Sequence, residues 1–273
     1  MKKVDLINQI YTKKSFLCIG LDVDLDKIPN HLLDFEDPIF EFNKRIIDAT
    51  HHLAVAYKPN LAFYEVYGIK GWMALEKTME YLHTNYPNIF TIADAKRGDI
   101  GNTADRYAKA FFEKLRFNAL TVSPYMGRDA IEPFLAYEDK FVVLLALTSN
   151  SGASDFQLIE NKENIQLFEQ VLHQSLAYKN AQQLMFVVGA TKTAYIKKVR
   201  SIVPNHFLLV PGIGTQGGDF EEVCKCGLNH EIGLLINSSR EIIYAGNEID
   251  FDQKARYKAY EYQQKMAKLI ENI

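Results

Sequence analysis

Eight short, almost unbroken apolar runs alternate with segments of helical periodicity, and this alternation constrains the fold of the 273-residue chain more than any other feature. The runs are Phe16–Leu21, Ala54–Lys58, Ile89–Asp94, Ala119–Ser123, Phe141–Leu147, Met185–Gly189, Phe207–Val210 and Gly233–Ile236. A strand with one face in water alternates apolar and polar residues, whereas a continuous run is expected of a parallel strand covered on both faces. Between the runs, Asp37-Pro38 reads as a helix N-cap with proline in the first turn, followed by Ile39, Phe42, Ile46 and Ala49 at helical spacing. Trp72, Leu75, Met79 and Leu82 make a second apolar stripe, and Tyr107, Ala108, Phe111 and Leu115 a third, each read as core packing. Pro204 closes the helix before the seventh run, and residues 5–11 and 252–273 read as further helices.

Eight alternations with short connections favour a single closed (β/α)8 TIM barrel over residues 1–273 rather than an open doubly wound sheet. The length would also hold two smaller domains, but no linker or low-complexity tract marks a break.

Composition narrows the function. The net charge is −3 and no basic stripe stands out, which argues against nucleic acid or an anionic membrane surface as the main partner. The first residues lack a signal-peptide apolar core, and no apolar run is long enough to span a bilayer. Cys18, Cys224 and Cys226 are too few for a disulfide framework, and Cys224-x-Cys226 has no nearby third ligand for a metal. His51-His52, late in a helix, reads as a solvated face. The expectation is a reduced, cytoplasmic, soluble protein that needs no metal.

Reactive groups of a βα barrel sit at the C-terminal ends of its strands. Here the first run ends in Asp22, the second in Lys58, and the third in Asp94 and Lys96, with Asp99 just beyond. On an extended backbone Asp94 and Lys96 share a face. Two carboxylates and an ammonium at the end of a buried strand are costly unless they pair or act on a ligand. The fourth run ends in Ser123 and the fifth in Thr148-Ser149-Asn150. Loops after strands seven and eight are the usual phosphate site of this fold. Gly212, Gly214, Gly217 and Gly218 in the first of them let the backbone approach an anion, and Arg240 in the second supplies a fork suited to phosphate. The same glycines could serve turns alone; Arg240 in the matching loop favours a phosphorylated ligand. Gly-Lys-Ser/Thr is absent, so this is not a Walker loop.

In these residues the chain resembles the orotidine 5′-phosphate decarboxylase family, in its longer bacterial form. The signature Asp-x-Lys-x-x-Asp is present as Asp94-Ala95-Lys96-Arg97-Gly98-Asp99, followed by Ile100-Gly101-Asn102-Thr103. Leu21-Asp22, Tyr57-Lys58-Pro59-Asn60, Ser123-Pro124-Tyr125-Met126-Gly127, Pro211 to Asp219 and Asn237-Ser238-Ser239-Arg240 complete the set in order. One departure is Ser151, where this branch often has proline after Thr148-Ser149-Asn150; its loss predicts a less rigid loop.

The resemblance implies a role for each position. Lys96 would protonate C6 of the pyrimidine, with Asp94 beside the departing carboxylate. Lys58 and Asp99 would complete an alternating charge network, Asp99 and Thr103 coming from the partner subunit of a homodimer. Asp22 and Lys58 would hold ribose hydroxyls, Ser149 the base, Gln216 base and phosphate, and Arg240 the phosphate. The implied reaction yields UMP and CO2, the last step of UMP synthesis, without a cofactor. Loss of CO2 leaves an anionic carbon, and a fixed ammonium is the plausible stabiliser and proton donor. Two rivals share parts of the pattern. Mg2+-dependent sugar-phosphate decarboxylases or synthases of the same barrel need oxygen ligands at strand ends, where this chain has the cation Lys58. A non-catalytic nucleotide-binding barrel predicts a damaged Lys/Asp set, and here the set is intact.

Overall fold

The computed structural model describes residues 1–213 and 218–272. Eight strands close into a parallel barrel in chain order. They are β1 (Leu17–Leu21), β2 (Ala56–Pro59), β3 (Phe90–Arg97), β4 (Ala119–Val122), β5 (Phe141–Leu147), β6 (Leu184–Val188), β7 (Leu208–Pro211) and β8 (Leu234–Ser238). Each expected run is a strand. Helix α1 (Lys3–Lys13) precedes β1, and α2 (Pro38–Thr50) follows it. After β2 come α3 (Ala62–Glu65) and α4 (Gly68–Asn85), and after β3 comes α5 (Gly101–Lys109). The next four strands are followed in turn by α6 (Glu132–Leu135), α7 (Leu167–Ser175), α8 (Thr193–Ile202) and α9 (Phe220–Gly227). Last come α10 (Arg240–Ile243) and α11 (Phe251–Ile270). This is the (β/α)8 order of a TIM barrel. Among the described residues no helix is long and apolar enough to cross a membrane.

Contacts gather the chain into two compact units. The first comprises residues 1–95, 115–117 and 238–273. Cys18, Ile19 and Gly20 of β1 lie opposite Ala56, Tyr57 and Lys58 of β2. All five residues of β1 are buried, as a strand covered on both faces requires. The Asp37 carboxylate caps α2 by accepting the Phe40 N–H at 3.1 Å, and Ile39, Phe42 and Ile46 turn inward. The second apolar stripe is partly misjudged. Leu75, Met79 and Leu82 are buried, but Trp72 is 38% exposed, because the inner face of α4 is carried by Gly71, Ala74 and Thr78. Gly71 lies so close to the Tyr64 carbonyl that no larger residue fits there.

The second unit comprises residues 96–114 and 118–237. Its strands β4 to β8 carry an apolar core that includes Val142, Leu144, Phe186 and Leu208, each fully buried. The β7–β8 register places Leu208 opposite Leu234 and Pro211 opposite Asn237. In the third apolar stripe Ala108 and Phe111 are buried, while Tyr107 and Leu115 are half-buried. Arg200 on α8 ties the unit together without a carboxylate. It donates to the carbonyls of His206 at 2.6 Å, Gly227 at 2.8 Å, Gly233 at 2.8 Å and Val203 at 3.1 Å. Burial lowers its pKa to about 10, which still leaves it charged at neutral pH. Arg200→Met keeps the stem but strands those acceptors. The expected result is a loss on the order of 3 kcal/mol, seen as a melting temperature roughly 5–10 °C lower. Melting within a degree of the wild type would refute this account of Arg200.

Candidate active site

In the first unit the charged strand ends are buried and paired. Lys58, in β2, donates its Nζ to Asp94 Oδ2 of β3 at 2.8 Å, with side chains only 5% and 12% exposed. Burial works against the Lys58 charge, but the carboxylates of Asp94 and Asp22 and the Asp94 hydrogen bond outweigh it, holding the ammonium above the usual lysine value. The Lys58 ammonium is therefore a fixed charge, not a titrating one near neutral pH. Cys18 lies within the field of the same groups; burial pushes its thiol up to about 12, so it is no nucleophile.

Asp22 follows β1 directly. Its backbone is held in place: the Leu21 carbonyl accepts from the Tyr64 hydroxyl at 2.9 Å, and the Asp22 carbonyl accepts from the Tyr244 hydroxyl at 2.8 Å. The same Tyr244 oxygen accepts the Asp24 N–H at 2.8 Å. The Oδ1 atom of Asp22 is buried and has no hydrogen-bond partner among the described residues. A buried carboxylate oxygen without a donor is costly, so the position suits a ligand hydroxyl. Ser239 donates its hydroxyl to the Gly20 carbonyl at 3.2 Å, and a Cβ at Gly20 would lie 2.6 Å from that of Ser239. Glycine is thus required where β1 meets the segment carrying Arg240, whose side chain is exposed at the start of α10.

In the second unit Lys96 and Arg97 end β3. The expectation of a regular extended backbone fails at Lys96, whose φ is +47°. Its N–H goes to the side-chain oxygen of Thr121 at 2.8 Å, so the simple rule that residues two apart share a face does not hold here. Arg97 is turned toward α5, its guanidinium 5.3 Å from the Tyr107 ring centre and 5.5 Å from that of Phe111. Lys96 is exposed. Asp99 is half-buried and accepts the Ile100 N–H at 2.8 Å; Thr103 is exposed in the first turn of α5.

Ser149 lies just past β5, where Gly189 admits it: a Cβ on Gly189 would lie 2.6 Å from the Ser149 nitrogen. The loop holding Ser151 in place of proline is stapled by another residue. Gln157 accepts the Thr148 N–H at 2.8 Å and donates to the Thr148 hydroxyl at 2.9 Å, which in turn donates to Asn150 Oδ1 at 2.6 Å. Past β7, Gly212 has φ +97°, a conformation that favours glycine, and its carbonyl accepts the Gly218 N–H at 3.2 Å. That bond closes the neck of the 212–218 loop. The loop residues Gly214, Gln216 and Gly217 lie outside the described residues. Among the described residues no group of three His, Cys, Asp or Glu side chains could hold a metal ion. Sequence reasoning missed Tyr64, Tyr244, Thr121 and Gln157. Only Thr121 left a signal, as a hydroxyl inside an apolar run.

Residues 15–250 match the model of the orotidine 5′-phosphate decarboxylase / HUMPS family. A relative from Flavobacterium johnsoniae, an orotidine 5′-phosphate decarboxylase, is 62% identical over 272 residues, covering 100% of this chain and 99% of that protein. The solved OMP decarboxylase of Leishmania donovani superposes with a TM-score of 0.81 at 35% identity, covering 97% of this chain and 100% of that one. UMP synthase of the same organism superposes with a TM-score of 0.82 at 36% identity over 96% of this chain, which spans 57% of that longer one.

Proposed function

This chain belongs to the orotidine 5′-phosphate decarboxylase / HUMPS family, and from that premise we propose that it converts orotidine 5′-phosphate to UMP and CO2, closing de novo pyrimidine synthesis in the cytoplasm. The observation that carries the reading is the buried Lys58–Asp94 pair. It sets a permanent cation at the end of β2, where a Mg2+-dependent sugar-phosphate enzyme of the same family needs an oxygen ligand.

In the proposed reaction the C6–CO2 bond breaks and its electron pair stays on C6. The Lys96 ammonium stabilises that charge and delivers the proton that completes UMP; the resulting amine regains its proton from water. Asp94 lies beside the substrate carboxylate, and their repulsion disappears as neutral CO2 leaves. Asp22 accepts from a ribose hydroxyl through its unpartnered oxygen, and Lys58 donates to another. Ser149 and Gln216 contact the base, while Arg240 and the loop glycines Gly212, Gly214 and Gly217 take the phosphate. All the chemistry is carried by side chains, so no cofactor is required. Asp99 and Thr103 act across a homodimer interface. Exposed apolar side chains beside Asp99 support that contact: Ile100 is 50% exposed, and Tyr125 and Met126, on the loop after β4, are 88% and 49% exposed. The Ser123 N–H, bonded to the Arg97 carbonyl at 2.8 Å, holds that loop next to the Asp99 segment.

Loss of orotidine 5′-phosphate, followed by ultraviolet absorbance in the presence of EDTA, tests the reading. Turnover is expected to survive chelation. Activity that EDTA abolished and Mg2+ restored would move the assignment to the sugar-phosphate branch. Absence of turnover, with tight binding of the nucleotide, would favour a non-catalytic barrel. Arg240→Ala should weaken transition-state binding by roughly 2–5 kcal/mol for the phosphorylated substrate and little for orotidine itself. Equal losses in kcat/KM for both substrates would remove Arg240 from the phosphate.

A further inference from the structure

The backbone of β3 is irregular at one residue, and that residue is Lys96. Among the described residues seven non-glycine residues have positive φ, and Lys96 is the only one of them inside a strand. The others lie in turns and loops, where a left-handed residue is easily placed. A lysine in this conformation is strained, and such strain persists only where neighbouring structure enforces it.

One hydrogen bond joins the Lys96 backbone to the neighbouring strand. Thr121, on β4, is 1% exposed and sits between Leu120 and Val122, both fully buried. Its side-chain oxygen accepts the Lys96 N–H at 2.8 Å. In a regular parallel pair that N–H would go to a backbone carbonyl of the adjacent strand. One residue later the Arg97 carbonyl accepts the Ser123 N–H at 2.8 Å. A side-chain hydroxyl of β4 thus bonds the backbone of β3 at the one residue of that strand that turns left-handed.

We propose that Thr121 is a positioning residue for Lys96: its hydroxyl oxygen holds the Lys96 backbone in the left-handed region and so aims the ammonium. The inference rests on the reading of Lys96 as the proton donor. A rotation at Cα is multiplied along the long lysine side chain. With the backbone fixed, fewer torsions separate the ammonium from its working position, so less conformational freedom is lost when the reacting carbon arrives. A strand side chain is a rigid anchor for this task, more so than a loop residue.

Thr121→Val keeps the shape and removes the acceptor, whereas Thr121→Ser keeps the acceptor. The valine variant is expected to lose about 10- to 100-fold in kcat with KM nearly unchanged, the cost of a misplaced catalytic group. The serine variant should recover most of that loss. A crystal structure of the valine variant should show Lys96 leaving positive φ. A purely structural role predicts instead a lower melting temperature with kcat intact, and that outcome would overturn the proposal, as would an unchanged Lys96 backbone. If the wild type failed to decarboxylate orotidine 5′-phosphate, the functional reading would fall, and the Lys96 backbone alone would decide the role of Thr121. Should the valine variant not fold, hydrogen exchange in the wild type decides: slow exchange of the Lys96 amide supports the bond and fast exchange refutes it.

Discussion

Lys96→Ala is expected to reduce decarboxylation of orotidine 5′-phosphate by about 10⁴-fold or more while leaving the fold intact. The magnitude follows from two losses at once. General acid catalysis is worth roughly 10²–10⁴-fold, and a preorganised charge facing a developing anion adds about 10²–10³-fold. Lys96 is assigned both tasks, and no other group in the Asp94–Asp99 segment can take over. Asp94 and Asp99 are carboxylates, and Arg97 is packed over Tyr107 and Phe111. The fold should survive because the Lys96 side chain is exposed and the Thr121 bond uses its backbone. The decisive measurement is single-turnover decarboxylation together with thermal unfolding. A folded variant retaining a tenth of wild-type turnover would show that the proton comes from elsewhere.

The contrast with Lys58 sharpens the assignment. Lys58 is equally cationic but is 4% exposed and bonded to Asp94. A cation whose charge is fixed by two carboxylates is suited to orienting a substrate, and poorly suited to giving up a proton. Lys96, two residues beyond Asp94, is exposed instead. Under the proposed mechanism the buried lysine orients the substrate and the exposed one delivers the proton.

Much of this organisation is legible in the sequence, for physical reasons. Strands covered on both faces must be apolar throughout, so Phe141–Leu147 is found to the residue. Strand ends blur where polar residues join the ladder: β3 runs on through Lys96 to Arg97, and β8 through Asn237 to Ser238. The order Asp94, Lys96, Asp99 is written in the chain, but the left-handed φ of Lys96 is not. Nor is the bond from its N–H to a hydroxyl 25 residues away in β4. Tyr244 is less visible still, since it meets Asp22 across 222 residues of sequence. Loop stiffness is not legible from one position. The proline absent at Ser151 reads as slack, yet Gln157 restrains the same loop through side-chain hydrogen bonds, which no local rule foretells. Trp72 follows the helical period but is partly exposed, because period alone cannot say where an amphipathic stripe ends.

The second large effect concerns who completes each site. Mixing inactive Lys96→Ala with inactive Asp99→Ala, under conditions that exchange subunits, is expected to restore activity at about a quarter of all sites. Asp99 lies beyond Gly98, where the chain leaves β3 for α5, and exposed Ile100, Tyr125 and Met126 lie on its own and the neighbouring loop. That placement suits a residue reaching into a neighbour's site. In a two-fold dimer each site then takes Lys96 from one chain and the partner subunit's Asp99. A heterodimer of the two variants has one site with both lesions and one with neither. Random exchange makes about half the dimers mixed, hence the quarter. If Asp99 served the site of its own chain, every site in every dimer would keep one lesion, and no mixture could recover. Subunit exchange is followed separately, by mass spectrometry of differently labelled chains. Complete exchange with no regained turnover would therefore place Asp99 in the site of its own chain and end the shared-site reading.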